Sequence, residues 1–210
     1  MNYSIQKSGT SKFKVKRSEF LSYTVPINNH TELNNYIKEL KGQHQTARHF
    51  CWAYRIHDKN ETVENFSDAG EPSGSAGIPI LNAIRSANII NCGVIVIRYF
   101  GGVKLGKRGL INAYNTSASM AIAESDIKKW TPKINLLLKG DISYYGNVLN
   151  IVKRFGGKII TDISSEQFNL EIEIPKKEHK DFSVGFKDIT QNSGVIKKQS
   201  EHDQTKEVRK

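Results

Sequence analysis

The chain has 210 residues, of which 38% are hydrophobic and 25% are charged, so it is expected to bury a core in one large domain or two small ones. Its 31 Lys and Arg residues exceed its 21 Asp and Glu residues, and the net charge of +10 at pH 7 favours an anionic partner such as nucleic acid. A generally basic proteome would give the same excess. The longest apolar run, residues 89–97, is too short to cross a bilayer, and the opening MNYSIQKSGT has no signal core, so the sequence predicts a cytoplasmic protein with no membrane partner.

Hydrophobic periodicity predicts alternating strands and helices in the first half of the chain. The predicted strands are residues 20–25, 50–57 and 94–100. The predicted helices are residues 31–41, 79–88 and 110–124, and the polar segment 58–67 is expected to be irregular.

A change of pattern at Pro132 indicates a domain boundary, because a proline disfavours helix in the residue before it. From there the chain alternates strand, helix, two strands, helix and strand, at residues 134–138, 144–155, 158–163, 168–174, 175–189 and 194–198. This βαββαβ order is the ferredoxin-like plan. The sequence therefore predicts an α+β fold with two domains, residues 1–130 and 133–198, followed by a disordered tail at 199–210.

The segment VIVIRYFGGVKLGKRGLINAY, residues 94–114, carries the strongest indication of a binding site. A buried strand leads into a glycine-rich loop and then into a helix, so backbone N–H groups, the helix dipole and cationic side chains can converge on a phosphate. We therefore predict phosphate or nucleic-acid binding by Arg98 and by a cationic loop that contains Gly101, Gly102, Lys104, Gly106, Lys107 and Arg108.

The cationic loop nearly matches the nucleotide-binding P-loop, because Gly101, Gly106 and Lys107 have the required spacing. Arg108 stands where that motif requires the Ser or Thr that holds magnesium. The loop is therefore predicted to bind anions without the magnesium–nucleotide chemistry of P-loop proteins.

Arg98 ends an apolar strand, and two roles are open to it. It is either a buried ion-pair anchor, for instance for Glu71, or a ligand for phosphate. The neighbouring Tyr99 and Phe100 are able to stack on nucleic-acid bases, although packing in the core is the commoner arrangement for such aromatic residues.

Asp68 and Glu71 lie in the Gly/Ser-rich segment SDAGEPSGSAG, and they too have two interpretations. They are either an acid–base pair or metal ligands, or they are structural, with Asp68 capping a turn and Glu71 paired with Arg98 or Arg48. We favour the structural interpretation, because no further catalytic partner is recognisable. Ser73 is expected to cap backbone amides or to contact phosphate, and no catalytic residue is assigned.

Histidine and cysteine residues at positions 44, 49, 51 and 57 are close in sequence but lack the paired spacing of a zinc site. No metal and no cofactor are therefore predicted. Cys51 and Cys92 lie in apolar strand contexts and are expected to be reduced, packed thiols, as is typical of a reducing compartment.

Several separated motifs resemble the YigZ/Impact family, including its YvyE-like bacterial members. They are KRSEF at 16–20, ARHFCWAY at 47–54, SDAGEPSGSAGIPIL at 67–81 and the segment at 94–114. The resemblance covers residues 12–124, and the second half is similar to the small C-terminal domain of the bacterial members. Arg17, Arg48 and His49 lie within these motifs and, with Ser73, are further candidate ligands.

This resemblance implies an N-terminal α+β domain similar to ribosomal-protein and elongation-factor G domains, and a C-terminal domain similar to another elongation-factor G domain. It also implies a translation-associated protein that contacts RNA, the ribosome, translation factors or a regulatory protein. Eukaryotic relatives restrain the amino-acid-starvation response by binding the activator of an initiation-factor kinase, a partner that a bacterium would lack.

The chain departs from the family pattern at three positions. Ala69 stands where the family usually has a second aspartate, Arg108 replaces a glycine of the loop, and Asn112 replaces an arginine of the helix. A positive charge has thus moved from the helix to the loop, and a role that needs paired carboxylates at positions 68 and 69 loses its support.

The leading hypothesis is a regulatory protein that binds RNA or the translation machinery through the cationic loop. One alternative is an enzyme that acts on a phosphorylated small molecule or nucleotide, with Asp68 and Glu71 as its acid–base pair. Another is a protein-interaction module in a stress response. A strong salt dependence of RNA binding distinguishes the first hypothesis from the other two.

Overall fold

The computed structural model of the chain describes residues 1–58 and 61–198, and it divides after Trp130 into an N-terminal unit and a C-terminal unit. Both units combine β-sheets with helices, which confirms the mixed α and β fold predicted from the sequence. The division lies next to the predicted boundary at Pro132, and the independence of the two units as domains stays a prediction. The predicted disorder of residues 199–210 falls outside the described residues.

The strands of the N-terminal unit are β1 (Tyr3–Lys7), β2 (Thr10–Val15), β3 (Ser18–Pro26), β4 (His49–Asp58), β5 (Glu61–Ser67), β6 (Cys92–Tyr99) and β7 (Asp126–Lys129). Strands β2 to β6 form one antiparallel sheet in the order β2-β3-β6-β4-β5, so β2 and β5 are its edges. Strands β1 and β7 pair with each other.

Helices cover both faces of the five-stranded sheet. Helix α1 (His30–Gln43) packs on one face, and helices α2 (Gly77–Ser86) and α3 (Gly106–Ala123) pack on the other. Each face therefore has its own hydrophobic core, and the central strand β6 is buried between them.

The burial of β6 on both sides explains its continuous apolar sequence. Val94 and Val96 point towards α2 and α3, whereas Ile95 and Ile97 point towards α1. Because side chains alternate along a strand, Arg98 lies on the same face as Val94 and Val96. The strand therefore delivers a guanidinium group into the layer beneath α2 and α3.

The prediction of irregular structure at residues 58–67 is wrong, because Glu61–Ser67 forms the edge strand β5. Most of its side chains are exposed, so the segment lacks the apolar alternation that indicates a strand. Its ladder with β4 joins Val63 to Ile56 and Phe66 to Ala53. The fully exposed strand β7 shows no apolar alternation for the same reason.

Helix α3 begins at Gly106, one turn before the predicted start at Leu110. Gly106 has a φ of +71°, which lets the chain turn into the helix. Gly109, which precedes the predicted start, lies within the helix. Lys107 and Arg108 therefore belong to the first turn of α3 rather than to a loop.

The elements of the C-terminal unit are, in chain order, β8 (Lys133–Asp141), α4 (Tyr145–Arg154), β9 (Lys158–Asp162), β10 (Gln167–Pro175), α5 (His179–Ile189) and β11 (Val195–Lys198). The strands form an antiparallel sheet in the order β11-β8-β10-β9. Helix residues such as Val152 and Phe182 share a buried core with sheet residues such as Leu138 and Ile172. No helix in residues 1–58 or 61–198 is long and apolar enough to cross a membrane.

Candidate functional site

A buried polar network lies at the end of β6, beneath α2 and α3. Arg98 Nη1 donates a hydrogen bond to Glu71 Oε1 over 2.7 Å, and the two side chains are only 6% and 3% exposed. Tyr114 of α3 donates its hydroxyl proton to the same carboxylate oxygen over 2.8 Å. His49 Nε2 lies 4.0 Å from that oxygen.

Of the two roles open to Arg98, the structure shows the ion pair with Glu71. The guanidinium also lies over two aromatic rings, 5.6 Å from the centroid of Phe20 and 5.4 Å from that of Phe100. Arg48, the other partner considered for Glu71, is exposed and makes no ion pair with any described residue. Arg98 therefore acts as a buried anchor and not as an exposed cation.

Ser18 connects this anchor to the cationic loop. Its hydroxyl oxygen lies 3.4 Å from Arg98 Nη2 and 3.3 Å from the backbone nitrogen of Gly101, and it accepts a hydrogen bond from each. Ser18 is the first residue of β3, directly after the turn that follows β2. The network therefore ties this turn to the start of the loop between β6 and α3.

The same turn contacts the cationic loop through its backbone. A Cβ atom added to Gly101 would lie 2.0 Å from the carbonyl carbon and oxygen of Arg17, so only glycine permits this approach. Lys16 and Arg17 are exposed and have positive φ angles of 43° and 66°. The contact places these two cations beside the cationic loop.

We call the resulting patch the basic surface, and its members are the exposed side chains of Lys16, Arg17, Lys104, Lys107 and Arg108. None of these five makes an ion pair with a carboxylate in the described part of the chain. These cations come from two segments that are far apart in sequence, namely the turn between β2 and β3 and the start of α3 with the loop before it.

The basic surface surrounds the N-terminus of α3, which has the electrostatics of an anion site. The N-cap residue Leu105 supplies no side-chain cap, and the first turn contains no acidic residue. The partial positive charge at a helix N-terminus disfavours cations such as Lys107 and Arg108 nearby. A bound anion would relieve this repulsion and accept hydrogen bonds from the first-turn N–H groups.

The N-terminus of α2 is arranged differently, because the carboxylate of Asp68 occupies it. Asp68 accepts hydrogen bonds from the backbone N–H groups of Gly74, Ala76 and Gly77 at 2.8–2.9 Å. Burial alone would raise the pKa of Asp68, but these three bonds, helped by the charge of Lys107, hold it below its ordinary value. Asp68 thus caps a helix from within the chain.

The other residues that the sequence suggests as contacts for phosphate or bases are not part of the basic surface. Ser73 is exposed and makes no hydrogen bond to any residue that the structure describes. His49 is directed inwards, with Nδ1 3.1 Å from the carbonyl oxygen of Ala69. The hydroxyl oxygen of Tyr99 lies 2.9 Å from His44 Nδ1, whereas Phe100 is 55% exposed and lies beside Arg98.

The cysteine of this network, Cys51, is a buried free thiol. Burial raises the pKa of Cys51 to about 12, so its thiol stays protonated at neutral pH. It donates to the carbonyl oxygen of Asp68 over 3.0 Å and lies 3.4 Å from the hydroxyl of Tyr114, whose pKa is itself raised by burial. Within residues 1–58 and 61–198, no cluster of three His, Cys, Asp or Glu side chains is arranged to hold a metal ion.

Two members of the network, Tyr114 and Ser18, are missed by sequence reasoning. Tyr114 is fully buried on the core face of α3, and a buried tyrosine hydroxyl needs a hydrogen-bond partner. The sequence does contain a signal for this, because Leu110 and Ala118 place Tyr114 on the buried face of the helix at helical spacing. A tyrosine at such a position is expected to have a buried polar partner. Ser18 follows a turn of two residues with positive φ, which the sequence alone does not reveal.

Comparisons with known proteins cover the same residues. The family model of the Impact N-terminal domain matches residues 16–122. The IMPACT family member YvyE of Bacillus subtilis is 28% identical over 195 residues, which cover 93% of this chain and 89% of that relative. An IMPACT family member of Haemophilus influenzae is 31% identical over 164 residues, or 77% of each chain.

A solved structure described as that of a hypothetical protein has a TM-score of 0.71, with 95% of this chain and 97% of that chain covered. At 24% identity this likeness supports the fold alone. The family match at residues 16–122 spans the turn, the buried network and the basic surface. The chain therefore belongs to the YigZ/Impact family.

Proposed function

We propose that this chain is a cytoplasmic, translation-associated regulatory protein that binds RNA through the basic surface. Phosphate groups of the RNA contact the cations at the start of α3 and those on the adjoining turn. The RNA belongs to the ribosome or to a translation-factor complex, in keeping with the resemblance to translation-associated relatives.

The close approach of Gly101 to the backbone of Arg17 is the observation that carries this proposal. It joins two cationic segments into one patch, and a patch of clustered Lys and Arg side chains suits a phosphodiester backbone. Ser18 accepts hydrogen bonds from both Arg98 and Gly101, so it connects the buried ion pair of Arg98 and Glu71 to this contact.

The contrast between the two helix N-termini supports α3 as the binding element. Asp68 already satisfies the first N–H groups of α2, so that helix start is occupied by an internal carboxylate. The first turn of α3 carries cations and no acidic residue. An external phosphate supplies the missing negative charge.

The same contacts weaken the enzyme alternative. Asp68 is held by three backbone N–H groups, and Glu71 is held by Arg98 and Tyr114. Both carboxylates are thus engaged in contacts that maintain the fold. The protein-interaction alternative makes a different prediction, because it requires no dependence on the cations of the basic surface.

Co-sedimentation with ribosomal subunits tests the proposal. We expect the protein to pellet with a subunit at about 50 mM salt and to be released as the salt rises, because counterion release makes phosphate contacts salt-dependent. A variant with Lys104→Ala, Lys107→Ala and Arg108→Ala is expected to remain in the supernatant. A control with Lys38→Ala, Lys128→Ala and Lys129→Ala removes the same charge from exposed positions elsewhere and is expected to pellet normally. Equal pelleting of all three proteins would contradict the proposal.

A further inference from the structure

A small cleft opens beside the basic surface, between the edge strand β2 and helix α3. Its volume is about 190 Å³. Phe13, Val15 and Lys16 of the β2 side face Leu105 and the exposed side of α3 across it. Lys16 of its lining belongs to the basic surface, and Leu105 directly follows Lys104 in the sequence.

The α3 side of the cleft is shaped by small residues and edged by polar ones. Gly109 and Ala113 leave room along the helix, while Asn112 and Thr116 line the same cleft. Neither the Asn112 amide nor the Thr116 hydroxyl makes a hydrogen bond to the described residues. An amide offers both donors and an acceptor, so it can pair with the edge of a nucleobase.

The β2 side supplies a firm apolar wall. The ring of Phe13 packs against the buried ring of Phe20, with 6.3 Å between the two centroids. Val15 lies on the same strand, two residues further along. Apolar and aromatic walls of this kind favour the flat face of a base over the charged backbone that connects the bases.

The size and position of the cleft point to one base and not to a larger ligand. Pockets for drug-sized ligands have volumes of roughly 300–1,000 Å³, well above the 190 Å³ of this cleft. Arg108 and Asn112 are four residues apart on α3 and therefore lie on the same side of the helix. A phosphate at Arg108 and a base at Asn112 would then belong to one nucleotide or to adjacent nucleotides.

We propose that the cleft between β2 and α3 receives an unstacked base of a single-stranded nucleic acid whose phosphates lie on the basic surface. This inference rests on the proposed function and adds a base-binding subsite to it. Double-stranded nucleic acid is excluded from the cleft, because its bases are paired and stacked. Phe13 and Val15 contact the base, and Asn112 pairs with its edge.

Binding of two fluorescent probes tests this subsite. One is a 12-nucleotide single-stranded RNA that contains all four bases, and the other is an abasic phosphodiester strand of the same length. We expect the wild-type protein to bind the RNA at least tenfold more tightly, since contacts to the bases are lost in the abasic strand. Thr116→Phe, which fills the cleft, is expected to weaken RNA binding by about five- to twentyfold and to leave the abasic strand unaffected.

Ser119→Phe is the matched control, because Ser119 is exposed on α3 and does not line the cleft. Asn112→Ala is a smaller change at an exposed position, and we expect it to weaken RNA binding about threefold or more without altering the melting temperature. Equal wild-type affinity for the two probes would overturn the subsite, as would equal effects of Thr116→Phe and Ser119→Phe. Binding of neither probe would instead overturn the proposed function, and the subsite with it.

Discussion

Glu71 and Arg98 form a buried ion pair at the end of β6, with 2.7 Å between Oε1 and Nη1. The pair joins the segment between β5 and α2 to the central strand, and through Ser18 it reaches the loop that precedes α3. Stability and the shape of the basic surface therefore depend on the same few atoms.

Removal of one partner should destabilise the protein strongly. We expect Glu71→Gln or Arg98→Ala to lower the free energy of unfolding by about 3–5 kcal/mol, because the other charge is left buried without its counter-charge. Urea denaturation measures this loss. Lys12→Ala breaks the exposed pair with Glu19 and should change stability by less than about 1 kcal/mol. A loss in Arg98→Ala no larger than in Lys12→Ala would contradict the role of the buried pair.

The contact between Gly101 and Arg17 should tolerate no side chain. In Gly101→Ala the new Cβ atom would have to displace the Arg17 backbone, so we expect lower stability and at least tenfold weaker RNA binding. Gly102→Ala is the control, because its Cβ atom meets nothing within 4 Å and only its φ of +83° is unfavourable. RNA binding by Gly101→Ala that equals binding by Gly102→Ala would show that the turn is not part of the surface.

The arginine in the first turn of α3 should reduce the stability of the free protein. Arg108→Glu places an acidic residue in that turn, where it interacts favourably with the helix dipole. We expect the melting temperature to rise by about 1–3 °C while RNA binding falls. The matched change Lys128→Glu, in the exposed strand β7, should alter neither property much. A lower melting temperature in Arg108→Glu would mean that Arg108 stabilises the fold.

The cap formed by Asp68 should make stability depend on pH. The pKa of Asp68 is lower in the folded protein than its ordinary value of 3.8, so the folded state favours the carboxylate. This stabilisation is complete above the ordinary pKa and is lost as the pH falls through the folded pKa. We expect Asp68→Asn to melt below the wild type at pH 7 and to approach it at about pH 2–3. A difference that stays constant from pH 7 to pH 2 would contradict the cap.

The two units should separate under limited proteolysis. A stable C-terminal fragment that begins between residues 125 and 135 is expected, because the chain divides after Trp130 and each unit has its own core. Mass spectrometry of the fragments identifies the cleavage point. Resistance of the whole chain, with trimming only at its termini, would show that the units fold as one.

Local patterns in the sequence predict the parts of the fold that follow regular periodicity. Phe168, Leu170, Ile172 and Ile174 alternate in β10 and all point into the core, as their spacing indicates. The Arg98 side chain lies next to Glu71, one of the two roles that its position at the end of an apolar strand allows. The first feature could be predicted because the alternation lies within one short segment. The second could be predicted because Arg98 is a charged residue directly after an apolar run.

The basic surface itself could be predicted only in part. Lys104, Lys107 and Arg108 stand out in the sequence, but the contribution of Lys16 and Arg17 depends on a backbone contact between distant segments. The secondary-structure propensities of the two segments do not predict that contact. Exposed edge strands such as β5 are missed for a related reason, because pairing with a neighbour and not apolar alternation holds them in place.

The salt dependence of RNA binding tests the central claim most directly. Affinity for a 12-nucleotide single-stranded RNA is measured between 50 and about 300 mM salt for the wild type, the triple variant of Lys104, Lys107 and Arg108, and the charge-matched variant of Lys38, Lys128 and Lys129. The loss of three phosphate contacts on a single strand should reduce the slope of log affinity against log salt by about 2 in the triple variant. The charge-matched variant should keep the wild-type slope. An unchanged slope in the triple variant would contradict RNA binding by the basic surface.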